Sequence, residues 1–148
     1  MKLSIIGILL TLVSSTAFAG LLSEKPVTWQ PIVGQPKSTA KSFFDRNSLK
    51  TTTTEAGKVS FGNILIVLDK SEPGTVNGKP IQIRSLVRIT MMNCDSGMTI
   101  PVADIFFNNT YPTNETDPVK ISLYDGITGT TITDRKSILY GLLCPDYI

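Results

Sequence analysis

The chain has 148 residues, with 14 basic and 12 acidic side chains and no histidine. Charges so nearly balanced, and scattered without a basic stripe, do not imply a nucleic-acid partner. The lack of histidine removes the commonest general base and metal ligand, and with it any Ser-His-Asp or Cys-His catalytic site.

Residues 1–19 read as a secretory signal peptide. Lys2 supplies the positive n-region, Leu3 to Val13 the apolar h-region, and Ala17-Phe18-Ala19 a small-residue cleavage site before Gly20. The apolar run is too short to span a hydrocarbon core of ~30 Å. Gly20 stands where a lipid-accepting cysteine would be, so the expected product is exported without a lipid anchor. The mature chain, 20–148, is expected to form one domain. Its net charge is close to neutral, with thirteen basic and twelve acidic residues once Lys2 is removed.

Pro26, Pro31 and Pro36 exclude a helix early in the mature chain. Val27 to Gln30 reads as a short edge strand anchored by Trp29, whose ring either packs in the core or is exposed for binding. Lys41 to Asp45 is a second short strand, followed by a turn at Asp45-Arg46-Asn47-Ser48. The four threonines at 51–54 are β-prone or loop-like. Lys58 to Lys70 is a strong strand, apolar on both faces from Ile64 to Leu68 and therefore covered on both sides. Gly62 within it marks a bulge or a close backbone approach. Ser71 to Lys79 carries Pro-Gly and Asn-Gly and reads as a hairpin connection.

Ile81 to Cys94 is the longest β-branched, apolar run free of Gly and Pro. Ile81, Ile83, Val87, Ile89 and Met91 form its obvious core face. Gln82, Arg84, Leu86, Arg88, Thr90 and Met92 form a mixed face, and Cys94 shares their parity. Thr99 to Asn108 is a third strong strand, with Pro101 placing its first half at an edge or a bulge. Asn108 to Pro118 reads as a projecting polar loop, with acceptor-like Asn-x-Thr triplets at Asn108 and Asn114. Val119 to Leu123 is a last strand. The tail then gives the one good helix signal: Ile138, Leu139, Leu142 and Leu143 form an apolar stripe, with Thr133 or Asp134 as cap and Pro145 as stop.

The two cysteines, Cys94 and Cys144, are expected to pair, because exported thiols do so when geometry allows. Free thiols and an intermolecular bridge are the alternatives. About ten residues do not hold a helix in water alone, so packing on the sheet and the Cys94–Cys144 bond would have to hold it. The parity of Cys94 leaves two arrangements: a bulge before Cys94, or a helix packed on the mixed face near Leu86 and Met92.

The order Trp29, Phe43-Phe44-Asp45-Arg46-Asn47-Ser48-Leu49, the strand around Ile64 to Asp69, Met92-Asn93-Cys94 and a cysteine in a terminal helix resembles the surface-adhesin protein E family. The resemblance covers Trp29 to Cys144. It implies an α+β fold: an antiparallel sheet of about six strands with a C-terminal helix tethered to one face by a disulfide. It also implies binding, since the family's representative is an outer-surface lipoprotein that adheres to host matrix and serum proteins. No binding residues carry over; Cys94 and Cys144 match at a structural position.

Other chemistry in the sequence is weak. Asp45, Asp69, Asp95, Asp104, Asp125 and Asp134 fall mostly in turns or at element ends, where Asp bonds its own backbone. Met91, Met92 and Met98 read as packing rather than soft metal ligands. Arg84, Arg88 and Lys120 share a face that is solvated or, alternatively, accepts an acidic ligand. The function expected is that of a non-enzymatic exported binding protein with a host or envelope protein as partner and no cofactor. The alternative is a soluble periplasmic inhibitor or accessory protein of another envelope protein. Ligand identity is not legible, and a homodimer stays open.

Overall fold

The computed structural model describes residues 25–32, 41–126 and 129–147. The leader expected at 1–19 lies outside them. Among the described residues seven strands form one antiparallel sheet: β1 (Trp29–Pro31), β2 (Lys41–Thr54), β3 (Gly57–Val76), β4 (Lys79–Asn93), β5 (Met98–Phe107), β6 (Lys120–Leu123) and β7 (Thr131–Ile132). The spatial order follows the sequence from β1 to β6, and β7 pairs with β5. From β1 to β6 each neighbour in space is a neighbour in sequence, so hairpins build nearly the whole sheet. A single helix, α1 (Ile138–Leu143), and a 3-10 turn (Pro145–Tyr147) follow among the described residues.

The strands run further than their sequence signals. β2 passes straight through the turn expected at Asp45 to Ser48, which is instead a bulge: Asp45 pairs with Asn63 and Lys50 with Phe61. Side chains there replace the lost ladder bonds. The Ser48 hydroxyl donates to the Asp45 carbonyl at 2.6 Å and accepts from the Asn63 N–H at 2.8 Å. The Ser71 to Lys79 connection is likewise mostly strand. A second irregularity separates the Val67–Ser85 and Glu72–Ile83 pairs, and the reversal shrinks to Asn77-Gly78, both with positive φ (51° and 77°). That is the backbone a two-residue primed turn requires. Pro101 sits at a third irregularity, between the Ile89–Ala103 and Thr90–Pro101 pairs, as its missing N–H demands.

Both faces of the sheet are apolar, and different ends of the chain cover them. On one face Leu65, Val87, Ile105 and Phe107 are buried, with Val27, Trp29, Phe43 and Ile121 packed against them. On the other, Phe44, Met92 and Cys94 are buried with Tyr140, Leu143 and Cys144. The helix therefore lies on the mixed face of β4, and no bulge before Cys94 is needed. Gly62 makes this seat: a Cβ there would stand 2.6 Å from Leu143 and 2.8 Å from Phe44. Gly62 also lies at the irregularity between the Asp45–Asn63 and Lys50–Phe61 pairs, as the bulge reading expects, and what approaches it closely is side chains rather than backbone.

Expectations for the helix and for the 108–118 loop are corrected as well. The helix is six residues long, not about ten, and Ser137 caps it rather than Thr133 or Asp134: its hydroxyl accepts the Tyr140 N–H at 3.1 Å. Asp134 instead accepts the Lys136 N–H at 2.8 Å, shaping the turn before the helix. The 108–118 loop does not project freely. Its Pro112 is buried, the Trp29 indole N–H donates to the Pro112 carbonyl at 2.8 Å, and the Tyr111 ring meets Phe43 edge-on at 5.4 Å. Asn114 accepts the Val27 N–H at 3.0 Å and donates to the Lys25 carbonyl at 3.1 Å. Loop and N-terminal segment close over the first face together, with Trp29 as a half-buried anchor.

Candidate functional site: a groove beside the helix

Cys94 and Cys144 are bonded, with Cα atoms 5.7 Å apart. The Tyr140 hydroxyl donates to the Cys94 carbonyl, so the helix is tied to the end of β4 twice. Around this end the Asn93-to-Ser96 turn gathers the chain. The Asn93 side chain accepts the Asp95 and Ser96 N–H groups at 2.9 and 3.2 Å and donates to the Ala56 carbonyl at 2.9 Å. The Asp95 carboxylate accepts from the Lys58 N–H at 3.0 Å and the Tyr147 hydroxyl at 2.9 Å. The Tyr147 hydroxyl is held above its usual range, first by that hydrogen bond to a carboxylate.

The helix covers only part of its face. Beyond Leu139 the sheet surface is open, and a groove of about 330 Å³ runs between the helix and the Gly129–Thr131 segment. Ile64, Ile66 and Leu139 give it apolar walls, and Arg88 and Thr90 of β4 line it too. Its volume lies at the small end of ligand sites.

Arg88 is fixed in position by its neighbours. Its Nε and Nη2 donate to the two carboxylate oxygens of Asp104 at 2.9 and 3.0 Å, and Nη2 also reaches the Tyr124 hydroxyl at 3.0 Å. Tyr124 in turn donates to Asp104 at 2.6 Å. Arg88 and Asp104 are direct cross-strand partners in the β4–β5 register, which is why the fork is bidentate. The fork on Asp104 raises the already high Arg88 pKa. Burial, and then the bond to the Asp104 carboxylate, raise that of the Tyr124 hydroxyl.

The other residues singled out in the sequence do not converge. Lys120 lies over the Phe106 ring at 4.6 Å and Arg84 is exposed, so the basic face is one neutralised arginine with two solvated neighbours. Met91 and Met92 point to opposite faces, as consecutive strand residues must; Met92 is buried against Cys144, their sulfurs 3.6 Å apart. Asp45 and Asp104 are both buried, but their registers put them on opposite faces of the sheet. No group of three or more His, Cys, Asp or Glu side chains suited to a metal occurs among the described residues. Thr90 is what sequence reasoning passed over. A lone threonine in a strand signals only β-propensity.

Fold and site together define a stapled antiparallel sheet: hairpin-built, two-faced, its C-terminal helix locked to one face by a disulfide. The solved structure of Haemophilus influenzae protein E is similar to it, with a TM-score of 0.54 at 14% identity over 80% of this chain and 85% of that one. At that identity the likeness concerns the fold. No family model matches the chain, and no curated protein does either. Among the described residues no helix is long and apolar enough to cross a membrane.

Proposed function

We propose that this chain is a non-enzymatic, exported binding protein, adhesin-like, that recognises a host or cell-envelope macromolecule. The observation that carries the reading is the sheet fold, similar to that of protein E and stapled here by the Cys94–Cys144 bond. The sequence resemblance to the surface-adhesin family points the same way. Residues 1–19 act as the export signal and residues 20–148 as the working domain; an intramolecular disulfide suits an oxidising compartment. The test is capture by the oxidised 20–148 domain, immobilised and exposed to matrix proteins, serum proteins and envelope extract. Saturable binding of a protein is the expected result. A domain that is folded, oxidised and inert toward all three would count against the role.

Gly20, which offers no thiol for a lipid, favours a second reading: a soluble periplasmic partner of another envelope protein. Fractionation separates the two. Protein digested by protease added to intact cells acts at the surface; protein released by osmotic shock and shielded from protease acts in the periplasm.

A further inference from the structure

Thr90 is 3% exposed, and its hydroxyl has no hydrogen-bond partner among the described residues. A buried hydroxyl left so has given up its bonds to water and gained none. Arg88 stands two residues along β4, on the same face. With Nε and Nη2 held by Asp104 and Tyr124, its Nη1 has no partner among the described residues. Both residues line the groove beside α1, whose walls are the aliphatic Ile64, Ile66 and Leu139. One staggered step of χ1 carries the Thr90 hydroxyl to the position its methyl holds, and the methyl to that of the Cβ hydrogen, so the hydroxyl has a second direction in which to find a partner.

Charge decides what fits. The Arg88 cation is already balanced by Asp104, so the groove presents donors with little net charge. A full anion would lose its hydration without a free counter-charge. A neutral acceptor on an aliphatic body loses far less. An amide suits both polar groups at once, because its carbonyl takes the Arg88 N–H while its own N–H meets the Thr90 oxygen, an acceptor as well as a donor. We propose that this groove holds one aliphatic side chain of a partner polypeptide together with its adjoining uncharged backbone amide. The proposal rests on the binding-protein reading above and names its anchor site.

The probe is N-acetyl-L-leucine methylamide, titrated into isotope-labelled oxidised protein and followed by NMR, with the carboxylate N-acetyl-L-leucine as comparison. Saturable shifts at Ile64, Thr90 and Leu139 are expected with the amide, and weaker ones with the carboxylate. Thr90→Val keeps the shape and removes the hydroxyl; it should bind roughly three- to tenfold more weakly, the loss expected for one hydrogen bond, while remaining folded. Thr131→Trp, at an exposed rim position, should block the groove without touching its floor. No saturable shift with the amide overturns the proposal, as does tighter binding of the carboxylate or unchanged affinity in both variants. A captured protein partner that still binds Thr131→Trp would overturn the groove as anchor and leave the binding role standing. Probe shifts with no partner captured from any extract would support the groove chemistry and count against the role.

Discussion

Asp45 shows what a single buried carboxylate does to this fold. It is 0% exposed. One oxygen accepts the Thr28 and Asn47 N–H groups at 3.2 and 3.0 Å, while the other has no partner among the described residues. Burial outweighs the two backbone donors and raises its pKa above the ordinary 3.8. The folded protein therefore holds this proton more tightly than the unfolded chain. The stabilisation is fully present below pH 3.8 and is lost as pH rises through the folded-state pKa. Asp45→Asn has no such proton, so its urea midpoint should fall less steeply than wild type over that range; parallel midpoint-versus-pH curves would contradict the assignment. Gly62 is sensitive for a steric reason. Gly62→Ala puts a methyl against Leu143 and Phe44, within 2.6 and 2.8 Å. The overpacking should cost about 1–3 kcal/mol in chemical denaturation, with the helix side chains shifting most in NMR spectra.

At the level of elements, the weakest piece is α1. Six residues form too few internal bonds to persist alone, so its cap and its seat matter unusually. Ser137→Ala removes the acceptor for the Tyr140 N–H and should cost about 1 kcal/mol. The checking measurement is amide exchange at Tyr140, which should speed up while Val87 in β4 is unchanged. The strands were far more legible than their limits. Alternation and β-branching mark the cores of β3, β4 and β5, because burial on a pleated face imposes them. The ends are illegible where turn-formers occur inside strands. Asp45 to Ser48 and Ser71 to Val76 are rich in turn residues, yet their backbone needs are met by bulges and by the side chain of Ser48. The helix-bearing face was obscured for a different reason. Arg88 and Thr90 make it look solvated, whereas the Arg88–Asp104 pair and the helix seat depend on residues distant in sequence. The groove follows from the same long-range packing, so local pattern carried no trace of it.

At the scale of the molecule, the sheet of the described residues is closed by the segments before and after it, and the two closures differ in kind. The N-terminal cover is held by hydrogen bonds from Trp29, Val27 and Asn114 and by aromatic packing. The C-terminal cover has one covalent bond, Cys94–Cys144, spanning 50 residues. Closing a loop of that length stabilises a fold by roughly 4 kcal/mol on the chain-entropy account. The core of the sheet does not depend on it, since Leu65, Val87 and Ile105 are buried on the opposite face. Replacing both cysteines, Cys94→Ser with Cys144→Ser, should therefore act unequally. The helix loses its covalent tether and keeps its packing and the Tyr140–Cys94 hydrogen bond, too few contacts to hold six residues firmly; the sheet keeps its ladder and its other face. Amide exchange at Tyr140 and Leu143 should rise by orders of magnitude, while Val87 and Ile105 lose protection only by the fall in global stability. The groove should lose its Leu139 wall in the same variant, and with it the affinity for the leucine amide. If instead Tyr140 stayed as protected as Val87 without the disulfide, packing alone would be holding the helix, and the staple would have to be explained by something other than keeping this face in place.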